Sequence, residues 1–132
     1  MSKKKVLIVD DEADYLSLIQ QRVESWGYEV ITAQAGKEAL AIVKEKLPDI
    51  VILDYLMPDM SGTEVLKEIR KFDKNLTVIM FTAHPDIKNI KCAQELGVSA
   101  FIPKLSNYSS DIQLTLRSAL DMAQNKIKKV KG

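Results

Sequence analysis

Four segments of the sequence carry residues suited to metal and phosphoryl chemistry. Asp10 and Asp11 directly follow one short apolar run, and Asp54 follows another. A third run leads into the hydroxyl residue Thr82, and a fourth is followed closely by Lys104. Carboxylates are oxygen ligands for Mg²⁺, and an aspartate can act as a nucleophile that forms an aspartyl-phosphate. A hydroxyl and an ammonium group suit phosphoryl oxygens, so these residues could bind a divalent cation and a phosphoryl group together if the fold brings them close.

Apolar runs that could form strands recur along the whole chain. Each is short and nearly continuous, which is typical of strands in a parallel sheet that is covered on both faces. The predicted strands are Lys5–Val9, Tyr28–Thr32, Ile50–Leu53, Leu76–Phe81 and Ala100–Ile102.

The segments between and after these runs have apolar residues at helical spacing and predict five helices. Gly27, Pro48 and Gly97 are stop signals for three of them. The alternation predicts an α/β fold, a doubly wound five-stranded parallel sheet, for which the flavodoxin-like strand order 2-1-3-4-5 is one of two common arrangements. Ligands bind at the carboxyl ends of the strands in such sheets, which is where the polar residues named above are expected to meet.

These segments, in this order, resemble the receiver domains of two-component response regulators. The resemblance rests on VLIVDDE at 6–12, LDYLMPDMSG at 53–62, FTA at 81–83 and AFIPK at 100–104. It implies the flavodoxin-like order 2-1-3-4-5 with five helices. It also implies a receiver domain over residues 4–122, followed by a C-terminal helical extension or linker stub over 123–132.

The resemblance implies a role for each acidic residue. Asp54 would accept a phosphoryl group from a sensor histidine kinase or a histidine phosphotransfer protein. Asp11, Asp54 and the backbone carbonyl of Leu56 would ligate Mg²⁺, and Asp10 would hold a metal-bound water. The domain would thus be a signalling switch, not an enzyme beyond its own Mg²⁺-dependent phosphorylation and dephosphorylation.

The resemblance also implies how the signal would spread. Lys104 and Thr82 would contact the phosphoryl oxygens, and Thr82 with Phe101 would form the switch. Leu56 and His84 would line the mouth of the site. The fourth helix, fifth strand and fifth helix would form the partner face, through which phosphorylation could also drive homodimerisation.

Two alternative functions compete with this one. A non-phosphorylated interaction or dimerisation module on the same fold is suggested by one departure from the family, since Leu105 follows Lys104 and the proline lies earlier, at Pro103. A cis bond before a non-proline residue is unfavourable by about 2.5–4 kcal/mol, so a trans Lys104–Leu105 bond is expected unless the site holds strain. A nucleotide- or flavin-binding enzyme would need a glycine-rich phosphate loop, which the sequence lacks.

Composition agrees with one globular domain of 132 residues. The net charge of +1 hides an acidic body, because residues 6–125 contain 12 basic and 18 acidic side chains, a balance of −6. That balance argues against nucleic-acid binding. Without a long apolar run, and with Cys92 as the single cysteine, we expect a cytoplasmic protein without a membrane segment.

A heptad-like apolar stripe continues toward the C-terminus. Its members are Leu116, Leu120, Ala123, Ile127 and Val130. The stripe is consistent with the end of the domain's own last helix, with a helical linker to a fused output domain, or with a dimer seam.

Overall fold

The computed structural model describes residues 3–55, 57–82, 87–103 and 116–123. The strands and helices alternate along the chain. They are β1 (Lys5–Val9), α1 (Ala13–Ser25), β2 (Glu29–Ala33), α2 (Gly36–Lys46), β3 (Ile50–Leu53), α3 (Gly62–Phe72), β4 (Thr77–Thr82), α4 (Ile87–Glu95) and β5 (Ala100–Pro103). Residues 116–123 are helical and belong to α5.

The five strands form one parallel sheet in the order β2-β1-β3-β4-β5, which confirms the predicted flavodoxin-like topology. Val9 at the end of β1 is the register partner of Leu53 at the end of β3, and Leu53 is the partner of Met80 in β4. The carboxyl ends of the three central strands therefore meet at one edge of the sheet.

Helices cover both faces of the sheet. Successive side chains along each strand point to opposite faces and pack into two separate hydrophobic cores. In β1, Val6 and Ile8 face α1 and α5, whereas Leu7 and Val9 face α2, α3 and α4. All four side chains are at most 2% exposed. Burial on both faces explains why the strands are continuous apolar runs in the sequence.

Two of the five strands have the predicted bounds; β2 and β4 are shifted by one residue at both ends, and β5 is one residue longer. β2 begins at Glu29, and the preceding Tyr28 is buried, with its hydroxyl donating to Asp121 Oδ1 at 3.0 Å. β5 continues through Pro103, which an edge strand tolerates because its outer side has no neighbour to receive an N–H.

Helices α1, α2 and α4 end at the stop signals that the sequence predicted. A glycine follows α1 and α4, whereas a left-handed leucine ends α2. Gly27 and Gly97 follow α1 and α4 with φ angles of +97° and +75°, a conformation that glycine adopts readily. After α2, the left-handed position before Pro48 is taken by Leu47, with φ of 51°. Cys92 lies on α4, and its side chain is partly buried.

Arg70 of α3 ties the third and fourth helices together. Its Nε donates to the carbonyl of Leu96 at 2.7 Å, and Nη2 donates to the carbonyl of Gly97 at 3.2 Å. These carbonyls close the C-terminal end of α4, so one side chain satisfies them from the neighbouring helix. Within the described ranges, no helix combines the length and the apolarity that crossing a bilayer requires.

Candidate functional site

Asp10 and Asp54 lie side by side at the carboxyl edge of the sheet. Each follows one member of the Val9–Leu53 register pair, and the N–H of Asp54 donates to the carbonyl of Val9 at 3.0 Å. Asp10 is 3% exposed and Asp54 is 5% exposed. Two carboxylates held in adjacent, buried positions repel each other, which is unfavourable unless a cation or hydrogen bonds compensate the charge.

Asp10 belongs to an acidic cluster with Asp11 and Glu12. The three residues can place carboxylate oxygens within 4.8 Å of one another. Oδ1 of Asp10 accepts the N–H of Glu12 at 3.0 Å, and the side chains of Asp11 and Glu12 are exposed. Glu12 was not among the predicted site residues. Its position directly after two aspartates was the sequence feature that could have indicated its place in the cluster.

The side chain of Glu12 does not serve as a helix cap. Glu12 is the N-cap residue of α1, and among the described residues its side chain caps no backbone N–H. The cluster offers only oxygen ligands, which is the donor type that Mg²⁺ prefers. The donor chemistry at this edge therefore fits the predicted magnesium site.

The loop after Asp54 is closed at its base. Oδ1 of Asp54 accepts the N–H of Tyr55 at 2.7 Å, and the carbonyl of Tyr55 accepts the N–H of Gly62 at 2.6 Å. Ser61 is the N-cap of α3 and accepts the N–H of Glu64 at 3.2 Å. The side chain of Asp54 is thus presented by a loop whose two ends are bonded to each other.

Tyr15 of α1 packs beside the acidic edge and feels its charge. Its ring lies 5.9 Å from that of Phe81, centroid to centroid. Burial, and then the negative charges of Asp10, Glu12 and Asp54, raise the pKa of Tyr15 to about 12. Burial is the larger cause of this rise, and the carboxylates at the carboxyl end of the central strands add to it.

Thr82 lies on β4 and Phe101 lies on β5, the two strands that come after β3 in the order of the sheet. Thr82 is the last residue of β4, is fully buried, and pairs in register with Pro103. Phe101 of β5 pairs with Met80 and is half-buried against the core under α2, α3 and α4. Thr82 therefore ends its strand at the same edge of the sheet as Asp54.

Three predicted site residues, Leu56, His84 and Lys104, lie outside the described residues. The predicted trans Lys104–Leu105 bond lies outside them as well. Among the described residues, the structure therefore places Asp10, Asp11, Asp54 and Thr82 at the same edge of the sheet, whereas the cluster of close carboxylates consists of Asp10, Asp11 and Glu12.

Comparison with known proteins agrees with this geometry. The family model described as "Response regulator receiver domain" matches residues 6–117. The chain is 43% identical over 103 residues to a probable transcriptional regulator ycf27 of Guillardia theta, an alignment that covers 78% of the chain and 40% of that protein. It is 36% identical over 104 residues to sporulation initiation phosphotransferase F of Bacillus subtilis, covering 79% of the chain and 84% of that protein.

A solved structure is similar over nearly the whole chain. A response regulator receiver domain protein from Clostridium thermocellum has 33% sequence identity and a TM-score of 0.86, with 96% of this chain and 98% of that chain covered. The chain spans about half the length of the regulators named ycf27 that it matches.

Proposed function

The chain belongs to the response regulator receiver domain family, and on that premise we propose that it is a phosphorylation-controlled signalling switch with Asp54 as the phosphoryl acceptor. One observation carries the proposal: Asp54 is buried at the end of β3, beside Asp10 and its acidic cluster. A carboxylate next to a cation-binding cluster is the arrangement that acceptance of a phosphoryl group needs.

Mg²⁺ is the cofactor in this proposal. Asp11, Asp54 and the backbone carbonyl of Leu56 would hold the ion, and Asp10 would hold a water bound to it. When bound, the ion supplies positive charge that the carboxylates and the phosphoryl oxygens can share.

The chemical step is a transfer from nitrogen to oxygen. A carboxylate oxygen of Asp54 attacks the phosphorus of a phosphohistidine, the new O–P bond forms, and the N–P bond breaks. The imidazole leaves and takes up a proton as required by the pH. Later attack of water on the phosphorus restores Asp54 and releases inorganic phosphate. The chain promotes these two reactions on itself and is not a metabolic enzyme.

The response to phosphorylation runs through β4 and β5. The hydroxyl of Thr82 and the ammonium of Lys104 would be attracted to the new phosphoryl oxygens. Space left behind Thr82 would allow Phe101, half-buried in the resting chain, to turn inward. This is a shift between two populated states of the same fold.

The proposed partners are those that membership of the receiver domain family implies. The donor is a sensor histidine kinase or a histidine phosphotransfer protein. The face formed by α4, β5 and α5 is proposed to bind the target or a second phosphorylated copy. A fused output domain would lie beyond the receiver domain at 4–122, with residues 123–132 as its helical linker. We place the protein in the cytoplasm, where soluble phosphoryl donors and ATP-dependent kinases act.

Intact-mass measurement after incubation with acetyl phosphate tests the proposal. We expect one phosphoryl adduct in the parent chain when Mg²⁺ is present and none when it is chelated. Asp54→Ala should remove the adduct. Asp49→Ala is the matched control, because Asp49 accepts the N–H of Lys5 at 2.9 Å at the opposite edge of the sheet and should not affect the adduct.

The same experiment distinguishes the proposed switch from the alternative function. A chain that binds Mg²⁺ but forms no adduct with acetyl phosphate or with a phosphohistidine donor would favour the non-phosphorylated interaction module. The position of Leu105 after Lys104 is the observation that supports this alternative.

A further inference from the structure

Helix α2 begins without a capping side chain of its own. Its N-cap residue is Ala35, in an extended conformation with φ of −147° and ψ of 156°. Alanine has no oxygen that could accept the first N–H groups of a helix, which are left without intrahelical partners. Glu38 reaches back only to the N–H of Gln34, at 2.8 Å, which precedes the helix.

The missing cap is supplied from the loop that follows Asp54. Oδ1 of Asp59 accepts the N–H of Gly36 at 2.8 Å, and Oδ2 accepts the N–H of Lys37 at 2.9 Å. The bond from Lys37 and then the bond from Gly36 lower the pKa of the Asp59 carboxyl, because they stabilise its charged form. A negative charge at the N-terminus of a helix is also favoured by the helix dipole.

Packing beside these bonds leaves no space between the loop and α2. A β carbon at position 36 would lie 2.9 Å from Cβ of Met60 and 2.9 Å from Cγ2 of Val65. Only glycine permits this approach without displacement. The Asp59 carboxylate and the Met60 side chain therefore fix the tip of the loop against α2 at adjacent points.

The loop is thus held at two places. Its base is closed by the bond from Gly62 to Tyr55, and its tip is tied to α2 by Asp59. The backbone between these points carries the carbonyl of residue 56, which the proposed function assigns to Mg²⁺. Mg²⁺ requires near-ideal octahedral geometry, so the position of that backbone matters for binding.

We propose that Asp59 is a positioning residue: its carboxylate ties the loop that follows Asp54 to the N-terminus of α2, and this tether sets the affinity of the site for Mg²⁺. The inference rests on the proposed function, because it assumes the metal ligands assigned there. It assigns to Asp59 no contact with the ion or with the phosphoryl group.

Three variants test the tether. Asp59→Ala removes it. Asp59→Ala combined with Ala35→Ser gives α2 a local cap in its place but leaves the loop untied. Asp73→Ala is the matched control, since Oδ1 of Asp73 accepts the N–H groups of Asn75 and Leu76 at 2.9 Å each, at the opposite edge of the sheet. The Kd for Mg²⁺ is measured by calorimetry and stability by urea unfolding.

We expect Asp59→Ala to raise the Kd for Mg²⁺ about tenfold, the lower range for loss of a group that orients metal ligands. Adding Ala35→Ser should recover stability and leave the Kd raised. Asp73→Ala should lower stability and leave the Kd at the parent value. Repetition in about 0.5 M KCl, where exposed charges are screened, should preserve the difference in Kd.

Several results would overturn the inference. They are an unchanged Kd in Asp59→Ala, a full recovery of Kd by Ala35→Ser, or a difference in Kd that disappears in high salt. Calorimetry requires no phosphorylation, so these outcomes are read independently of the adduct. A parent chain that binds Mg²⁺ without forming an adduct would contradict the proposed function alone, whereas a parent chain that binds no Mg²⁺ would contradict both.

Discussion

Gly62 lies against the backbone of Asp54 so closely that a β carbon at position 62 would overlap the carbonyl oxygen of Asp54. The N–H of Gly62 also donates to the carbonyl of Tyr55 at 2.6 Å. The first residue of α3 therefore closes the loop that presents the proposed phosphoryl acceptor. Only a residue without a side chain can occupy this position without moving that loop.

Gly62→Ala should therefore damage the site as well as the fold. We expect a loss of about 1–3 kcal/mol in the free energy of unfolding, as for other overpacked positions. Phosphorylation of Asp54 should slow at least about tenfold, because displaced reacting groups lose rate steeply. Urea unfolding and the time course of intact mass with acetyl phosphate measure the two effects.

Gly27→Ala is the control for that variant. Gly27 has a φ of +97° and no heavy atom within 4 Å of its hypothetical β carbon, and it lies at the other edge of the sheet. Alanine there should lose about 1–2 kcal/mol from backbone strain and keep the parent phosphorylation rate. Equal slowing in the two variants would show that lower stability, rather than contact with Asp54, is responsible.

Removing one charge from the acidic cluster should raise the stability of the metal-free chain and weaken the binding of Mg²⁺. Asp10→Asn keeps the size of a buried side chain but removes one of the charges clustered with Asp11 and Glu12. Without Mg²⁺ we expect the variant to be more stable than the parent by about 1 kcal/mol, because like charges no longer repel. At about one hundred times its Kd, Mg²⁺ should stabilise the parent by about 2.7 kcal/mol. The variant should lose most of that increment.

Urea unfolding with and without Mg²⁺ measures both quantities. Asp14→Asn is the comparison, since Asp14 is an exposed acid in the first turn of α1 outside the cluster. It should show no gain in stability without Mg²⁺ and should retain the Mg²⁺ increment. A destabilised Asp10→Asn with a full Mg²⁺ increment would mean that Asp10 serves the fold and not the ion.

Communication from Thr82 to Phe101 can be followed by fluorine NMR. The chain has three phenylalanines, so 4-fluorophenylalanine gives three signals, with exposed Phe72 of α3 as the internal reference. Acetyl phosphate and Mg²⁺ should shift the Phe101 signal in the parent chain. Thr82→Val removes the hydroxyl from a fully buried position. In this variant the Asp54 adduct should still form, but the Phe101 signal should not shift, because no hydroxyl is attracted to the phosphoryl oxygens.

Thr77→Val is the matched control, because Thr77 is a buried threonine at the opposite end of the same strand. It should leave the Phe101 shift intact. Loss of the shift in both variants would attribute it to general disturbance of β4. A normal shift in Thr82→Val would exclude the hydroxyl from the switch.

Much of the fold can be predicted because the strands are buried on both faces. β1 and β3 have the predicted bounds, since each is a nearly continuous apolar run, with Lys5 as the one polar residue, and each is followed directly by an aspartate. The placement of Asp10, Asp54 and Thr82 at one edge follows from strand order alone. Their functional roles stay predictions that the variants above test.

Long-range bonds between side chains and backbone could not be predicted. Ala35 gives no capping signal, and the carboxylate that caps α2 is Asp59, which lies 23 residues away from Gly36. Arg70 reaches the end of α4 in the same way, through carbonyls at 96 and 97. Such bonds depend on how helices are placed around the sheet, and local sequence patterns contain no record of that placement.

Tyr28 should make stability depend on alkaline pH. Burial, and then the hydrogen bond to Asp121, raise the pKa of Tyr28 above its ordinary value of 10.0. In the unfolded chain the phenol loses its proton near pH 10, whereas the folded chain retains it. The unfolded state therefore binds fewer protons, and the free energy of unfolding falls as the pH rises above about 10.

Tyr28→Phe should lose about 1 kcal/mol near pH 8, from the hydrogen bond that joins the start of β2 to α5. Because this variant has no phenol to ionise, its disadvantage should shrink between about pH 10 and 11. Urea midpoints of both chains at matched pH values measure the difference, in which the titration of the lysines cancels. A constant difference across that range would show that Tyr28 ionises equally in the folded and unfolded chains.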